Sequence, residues 1–300
     1  MKTKWNFLHN WPLYVMLLPS LTILIIFSYI PMYGIVIAFQ DFIPSNGFFH
    51  SKFVGLKWFE NIYHMPDFVY IARNTIVIAC SKIVLGLLMS VLFALLLNEV
   101  NSSRFKKIIQ TSVYLPHFLS WVIVSGIMIN MSGNSGAVNS MLEKLGFAKA
   151  NILTTKASFR FLLIYSNVWK EAGWSMIIYL AAISGIDASL YEAATVDGAN
   201  RFHKMIHITW PGIKEMVVVM LILAVGNAMN AGFDQILNMY NPAVYSVVDI
   251  LDTYIYRMTF EKGMPFEVST VIGLFKGVTN AVLLLGANYF AKLLGGRGLV

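Results

Sequence analysis

The chain has 300 residues, 57% of them hydrophobic and only 12% charged, with a formal net charge of +7. Soluble domains carry about 25% charged residues, so this composition argues against water as the only solvent. The Lys and Arg residues are spread over short loops instead of forming one basic stripe, which argues against nucleic-acid binding.

Six apolar segments are long enough for membrane-spanning helices, which need about 20 residues each. The first is too long for the apolar core of a cleaved signal peptide, so it is interpreted as an uncleaved span. The third is interrupted by Pro116, and the fourth by Lys170 and Glu171. We predict an all-α integral membrane protein with one transmembrane domain over residues 1–300 and six spans, at 13–39, 72–97, 108–130, 160–183, 214–236 and 269–294.

The distribution of Lys and Arg over the loops predicts the orientation. An even number of spans places both termini on one side, where the loops are short and rich in basic residues. The opposite loops, at about 40–71, 131–159 and 237–268, spread fewer basic residues over longer segments. Because cytoplasmic loops carry the excess of Lys and Arg, we predict cytoplasmic termini in a bacterial plasma (inner) membrane.

A polar segment, YEAATVDGANRFHKMIHITWPGI, separates the fourth and fifth apolar segments. Ser189 and Glu192 have the spacing of a capping box, with Asp187 as a competing N-cap. This pattern predicts a short helix over 191–196. Gly198 follows Asp197 as a turn or C-cap signal, since glycine tolerates the left-handed backbone that closes a helix.

A second short helix is predicted over about 199–208, and Pro211 is expected to end it before the fifth span begins. The two helices form a helix–turn–helix on the cytoplasmic surface, with small side chains on an exposed face. Small side chains let another protein's backbone approach, and Glu192 and Arg201 offer directional polar contacts. The alternative is an ordinary interfacial loop whose basic residues contact lipid headgroups.

The polar segment resembles the signature of the permease subunits of ABC importers, which is Glu-Ala-Ala, three residues, Gly, nine residues, Ile, one residue, Leu and Pro. Here Trp210 replaces the usual Leu; we expect it to pack at the base of the fifth span and to leave coupling intact. The resemblance implies the type I importer (MetI-like) fold and coupling helices at about 188–209 that dock on an ATPase subunit. The implied coupling residues are Glu192, Ala193, Ala194, Asp197, Gly198, Arg201 and Pro211.

Three further stretches resemble the LplB-type polysaccharide permeases, a branch of the maltose-type carbohydrate-uptake family. They are IPMYGIVIAFQDF, NVWKEAGWSMIIYLAAISGIDASLYEAATVDGA and FDQILNMYNPAVYSVVDILDTYIYR. The resemblance implies a non-catalytic subunit that translocates oligosaccharides or polysaccharide fragments delivered by an extracellular binding protein. Its implied partners are a second, homologous permease and two ATPase subunits, which would bind ATP and Mg²⁺, so we expect no cofactor in this chain.

Polar residues inside the predicted spans are candidates for the substrate path, because such groups are costly in lipid and usually face a wet cavity. They share helix faces by their spacing, and the alternative is that they join helices through hydrogen bonds. Lys170 and Glu171 are sequence neighbours that are not expected to face one another, and lysines on the path would favour acidic sugars. The candidates are Asn167, Lys170, Glu171, Trp174, Asn227, Asn230, Asp234 and Lys276.

Several function classes lack their motifs. The chain has no Gly-x-x-x-x-Gly-Lys-Ser/Thr stretch to bind ATP phosphates. His203 and His207 are spaced as metal ligands but lack a third ligand nearby, so we expect no metal site. Two alternatives stay open: a membrane enzyme of lipid-linked sugar metabolism, which needs a carboxylate cluster at one interface, and a secondary transporter, which predicts inverted repeats.

Overall fold

The computed structural model describes residues 11–293, which are mostly helical. In chain order the elements are α1 (Trp11–Leu24), β1 (Gln40–Asp41), α2 (Gly47–His50), β2 (Lys52–Phe53), α3 (Lys57–Tyr63), α4 (Phe68–Asn98), α5 (Ser103–Tyr114), α6 (Trp121–Ser132), α7 (Ala137–Lys144), α8 (Lys156–Ser184), α9 (Ala188–Val196), α10 (Arg201–Lys204), α11 (Trp210–Gly226), α12 (Phe233–Met239), α13 (Tyr245–Val248), α14 (Leu251–Tyr256) and α15 (Phe266–Leu293). Turns of 3₁₀-helix lie at Ile30–Phe39, Leu115–Phe118 and Ala228–Asn230, and π-turns lie at Ile25–Tyr29, Met205–Thr209 and Arg257–Glu261.

Four helical segments are long and apolar enough to cross a membrane, and the count rises to six if each of two bent helix pairs is one span. The four are Trp11–Phe39, Phe68–Asn98, Arg201–Gly226 and Phe266–Leu293. The first bent pair joins Ser103–Phe118 to Trp121–Lys144 at 102°, and the second joins Lys156–Ser184 to Ala188–Val196 at 71°. The bend in the predicted third span follows Pro116, where Leu119 is extended and Ser120 caps the next helix.

The described residues form two compact units, of which the first comprises residues 11–65 and 258–274. None of the side chains of α1 is buried, as expected of an apolar helix surrounded by lipid. After this segment β1 pairs with β2 in antiparallel register, Gln40 opposite Phe53. Trp58 Nε1 donates to the Gln40 carbonyl at 3.0 Å, and the Phe42 amide donates to Glu267 Oε1 at 2.7 Å. These bonds fix the short sheet within the unit.

The second unit comprises residues 66–257 and 275–293 and is built around the pair α4 and α8. One apolar cluster includes Ile78, Val124, Phe159 and Ile236, and α12 and α13 also contribute to it. A second cluster packs α4, α8 and α11 together through Ala94, Met176, Tyr179, Ile183 and Ile213. The prediction of a single domain over residues 1–300 includes residues 1–10 and 294–300, which lie outside the described residues, and stays a prediction.

Candidate coupling segment and translocation site

The first helix of the polar segment is α9, which begins earlier than predicted. Asp187 is its N-cap, because its carboxylate accepts the Ser189 amide at 2.9 Å. This hydrogen bond lowers the pKa of the Asp187 carboxyl. The predicted capping box of Ser189 with Glu192 is therefore wrong, because Ser189 already lies inside the helix that Asp187 caps, and Glu192 is exposed on the surface.

The turn after α9 depends on Gly198, as predicted. Gly198 has φ +77°, and the Ala199 amide closes back onto the Ala194 carbonyl at 2.8 Å. A glycine adopts this left-handed conformation without strain. Asn200 then caps α10 by accepting the His203 amide at 2.9 Å. The chain reverses sharply between the two helices.

The predicted stop at Pro211 is wrong. The helical segment runs without interruption over Arg201–Gly226, through α10, a π-turn and α11, with Pro211 in the first turn of α11. A proline lacks an N–H and displaces the carbonyl four residues earlier. The wider π-turn at Met205–Thr209 supplies the room, since π-bulges open the spacing of the backbone hydrogen bonds.

Side-chain hydrogen bonds fasten the two halves of the coupling segment to each other. Tyr191 Oη and Thr209 Oγ1 are 2.9 Å apart, and Lys204 Nζ donates to Thr195 Oγ1 at 2.6 Å. Thr195 Oγ1 in turn donates to the Tyr191 carbonyl at 2.6 Å. These hydrogen bonds join the two helices of the segment into a hairpin.

The hairpin exposes most of the predicted coupling residues, together with apolar side chains that the sequence reading missed. Glu192, Ala193, Asp197, Gly198, Arg201 and Pro211 are exposed, and Ala194 is half-buried. Val196 is 89% exposed and Phe202 is 62% exposed, one on each side of the turn. Unlike the exposed apolar side chains of the spans, these two have polar neighbours in the sequence on both sides. A shallow depression of about 470 Å³ lies beside them, with Ala194, Gly198, His203 and His207 among its lining residues.

The histidines of the hairpin bond locally. His203 Nδ1 lies 2.9 Å from Asn200 Oδ1, and His207 Nδ1 lies 3.0 Å from the His203 carbonyl. No group of three potential ligands occurs among residues 11–293. Trp210 is 40% exposed at the start of α11.

The path candidates on α8 meet around a histidine that the sequence reading missed. His117 Nδ1 lies 2.8 Å from Glu171 Oε2, and the imidazole stacks on Trp174 with 4.5 Å between ring centroids. Lys170 Nζ donates to the His117 carbonyl at 2.8 Å and to Glu171 Oε1 at 3.1 Å. The expectation that Lys170 and Glu171 would not face one another is wrong, because the long lysine side chain folds back toward its neighbour's carboxylate. His117 follows Pro116 in the turn of 3₁₀-helix that precedes the bend.

Asn167 and Glu171 also line a cavity of about 150 Å³ between α4, α8 and α11. Its other polar lining residues are Lys82, Ser90, Ser175 and Tyr179. Asn167 and Glu171 are half-buried. Glu171 thus belongs both to the cavity and to the histidine cluster.

The predicted fifth span is broken before its end. Helix α11 ends at Gly226, and Ala231 (φ +43°) and Gly232 (φ +93°) reverse the chain before α12. Asn227, Asn230 and Asp234 therefore do not share one helix face, and the predicted helical face at 214–236 is wrong. Non-helical backbone at membrane depth is tolerated where it lines a cavity or is buried in protein.

The break leaves two of the three residues together. The side chains of Asn227 and Asn230 are hydrogen-bonded to each other and exposed. Asp234 lies apart in the first turn of α12. Asn280 on α15 closes the end of α11: its side-chain amide donates to the Gly226 carbonyl, and its oxygen accepts the Met229 amide at 3.3 Å.

Lys276 does not join either group. Its ammonium forms an ion pair with Asp252 on α14, at 2.8 Å from both carboxylate oxygens. The structure thus brings Asn167, Lys170, Glu171 and Trp174 into one region. Asn227 and Asn230 form a separate pair, and Lys276 is paired with Asp252 away from both groups.

Comparison with known proteins identifies the family. Residues 82–296 match the family described as "Binding-protein-dependent transport system inner membrane component". The chain belongs to this family. It is 41% identical to Protein LplB of Bacillus subtilis (strain 168), covering 96% of this chain and 90% of that one. It is 42% identical to YteP of the same organism, named a polygalacturonan/rhamnogalacturonan transport system permease, covering 96% and 89%.

A solved structure gives the same result for the fold. A chain in the crystal structure of a bacterial alginate ABC transporter, in complex with alginate pentasaccharide-bound periplasmic protein, matches with a TM-score of 0.89. The two chains are 37% identical, and the match covers 98% of each. The fold is therefore that of a MetI-like permease, and the predicted resemblance to the LplB branch is confirmed.

Membership of the family defines the chain as a multi-pass, non-catalytic membrane subunit of a binding-protein-dependent ABC importer. Such permeases work with a second permease, ATPase subunits and a substrate-binding protein, which are the partners predicted from the sequence. A membrane enzyme of lipid-linked sugar metabolism and a secondary transporter are both excluded.

Proposed function

We propose that this permease translocates acidic oligosaccharides and that the segment at about 188–209 transmits ATPase motion to the spans. One observation carries the proposal: the helix over Arg201–Gly226 is continuous from the coupling hairpin to Asn227, beside the break in the span. A continuous helix moves as a rigid element. Displacement of the hairpin by an ATPase subunit would therefore reach the broken segment directly. ATP and Mg²⁺ would bind on the ATPase subunits.

The docking surface would be formed by the exposed residues of the hairpin. Val196 and Phe202 would enter an apolar groove on the ATPase subunit, while Glu192 and Arg201 would make polar contacts at its edge. This division resembles other protein interfaces, where apolar anchors lie at the centre and polar groups surround them. The hydrogen bonds among Tyr191, Thr195, Lys204 and Thr209 would keep the hairpin rigid under load.

The substrate path would use the polar groups that face open space. The amides of Asn227 and Asn230 match the hydroxyls of a sugar, which both donate and accept hydrogen bonds. Trp174 is 43% exposed and offers a flat apolar surface for a sugar ring. Asn167 and Glu171 would bind further hydroxyls from α8.

The acidic class is suggested by the relatives. YteP is named for polygalacturonan and rhamnogalacturonan, and the matching alginate transporters handle a polysaccharide described as acidic. Both similarities extend over nearly the whole chain. We also propose cytoplasmic termini, because this orientation places the coupling hairpin on the side where ATP is available.

The test uses the complete complex, with both permeases, the ATPase subunits and the binding protein, in proteoliposomes. Glu192→Ala and Gly198→Ala should each lower uptake about tenfold while the complex still assembles and hydrolyses ATP. Glu143→Ala, at an exposed acid on α7, is the matched control. Normal uptake by both coupling variants would contradict the proposed role of the hairpin. Uptake of neutral but not acidic oligosaccharides by the unmodified complex would contradict the substrate class.

A further inference from the structure

Three lysines lie inside the predicted spans away from their ends, and the structure gives them different partners. Lys170 is paired with Glu171, and Lys276 is paired with Asp252. Lys82, on α4, has no carboxylate partner among the described residues. Its ammonium donates to the Ala231 carbonyl at 2.7 Å and to Gln235 Oε1 at 2.5 Å, both of which are neutral groups.

The surroundings of Lys82 make room for its ammonium. A Cβ atom on Gly232 would lie only 2.5 Å from Lys82 Nζ, so glycine at this position allows the close approach. Gln235 is oriented by its own side-chain amide, which donates to the Leu163 carbonyl at 2.6 Å and to Ser166 Oγ at 2.8 Å. The ammonium is therefore held by the Ala231 carbonyl in the break and by Gln235 of α12.

Lys82 also lines the cavity of about 150 Å³ that contains Asn167, Ser175 and Tyr179. Lys82 is 9% exposed, and two of its three ammonium hydrogens are bonded. The carboxylate of Glu171 at the same cavity is already neutralised, with one oxygen on Lys170 and the other near His117. Lys82 thus lies at the wall of this cavity without a carboxylate partner among the described residues.

An isolated buried charge is costly, and a counter-ion that reaches it is bound strongly in a medium of low dielectric constant. The neighbouring amide and hydroxyl groups suit the remaining polar atoms of a sugar. We propose that Lys82 binds the carboxylate of a uronic acid unit during transport and so selects acidic over neutral oligosaccharides. This inference rests on the proposed function, and it assigns a specific cation to the substrate's charge.

The experiment compares a charged and an uncharged probe: a trigalacturonate and its methyl ester, each loaded on the binding protein at saturation. Lys82→Met in the reconstituted complex should lower uptake of the acid about tenfold and uptake of the ester less than twofold. Lys82→Arg should retain most of the uptake of the acid, because the positive charge remains. An equal loss for both probes, or no loss for either, would overturn the proposal and leave Lys82 a structural role at the break.

A second variant tests the same proposal without replacing Lys82, in case Lys82→Met does not fold. Gln235→Glu keeps the size of the side chain and gives Lys82 a carboxylate partner within the protein, but it removes the hydrogen bond that the side-chain amide donates to the Leu163 carbonyl. Uptake of the acid should fall selectively, with the melting temperature of the complex measured alongside. Unchanged selectivity in this variant would overturn the proposal. If the unmodified complex transported the ester but not the acid, the proposed substrate class would be wrong. This outcome is distinct from a failure of the Lys82 proposal, because it is seen without any variant.

Discussion

The contact between α5 and α8 at Gly173 provides the most direct test of the packing beside the path. A Cβ atom on Gly173 would lie 2.1 Å from the Val113 carbonyl oxygen and 2.6 Å from its Cγ1. Ordinary van der Waals contact begins at 3.4 Å, so Gly173→Ala is about 1.3 Å too close to the oxygen. The oxygen belongs to the backbone and cannot turn away. The two helices must therefore separate, and small residues at such positions allow close approach of membrane helices.

We expect Gly173→Ala to destabilise the permease by about 1–3 kcal/mol, the usual cost of overpacking. The separation would also pull His117, which follows α5, away from Glu171, which lies two residues before Gly173. Uptake should fall together with the melting temperature of the detergent-solubilised complex, measured by the loss of its monodisperse peak on heating. Gly126→Ala on α6 is the control, since nothing lies within 4 Å of its added Cβ.

In the control, alanine favours the helix over glycine by about 0.5–1 kcal/mol, so the melting temperature should hold or rise. Substituting Val113 should not rescue Gly173→Ala, because the obstructing oxygen remains in every variant. If the Gly173→Ala complex had the same melting temperature as the Gly126→Ala control and transported normally, the close packing of α5 against α8 would be refuted.

Three further predictions concern the ends of the helix over Arg201–Gly226 and the cap of α9. The bonded carboxyl of Asp187 has a lowered pKa, so its cap is complete above the ordinary carboxyl pKa of about 3.9 and is lost as the pH falls through the lowered value. Asp187→Ala should therefore lower the melting temperature at pH 7 but progressively less as the pH falls below about 4, and a difference independent of pH would contradict this. Asn280→Leu leaves the Gly226 carbonyl without that partner and should cost about 1–3 kcal/mol, seen as a lower melting temperature and weaker uptake; an unchanged complex would argue against the cap. Trp210→Leu, which restores the usual residue of the family signature, should leave uptake within about twofold, and a larger loss would give Trp210 a role in coupling.

The sequence was sufficient for the class of protein and for the helix and turn of the polar segment, whereas the coupling role that the family signature implies for this segment stays a prediction. Long apolar runs need lipid, and the left-handed turn after the short helix needs Gly198. Interactions of this kind act between residues close in the chain, so they are readable from the residues in order.

The contacts that define the candidate site could not be predicted from neighbouring residues in the sequence. The pairing of His117 with Glu171 joins residues 54 positions apart. At the break, the Ala231 carbonyl accepts a hydrogen bond from Lys82, which is 149 positions away in the chain. From the periodicity of the sequence, the fifth helix was therefore predicted to continue through residue 236, with Asn227, Asn230 and Asp234 on one face.

Local pattern determines whether a segment is apolar, helical or turned, because hydrogen bonds within a helix and the freedom of glycine are properties of neighbouring residues. Tertiary structure decides which buried polar groups satisfy one another, because in lipid no water is present to do so. For this permease the sequence determined the apolar segments and the glycine turn between α9 and α10, but not the break in the predicted fifth span. Only tertiary contacts decided that Lys276 is paired with Asp252 and that Lys82 has no acidic partner in the described chain.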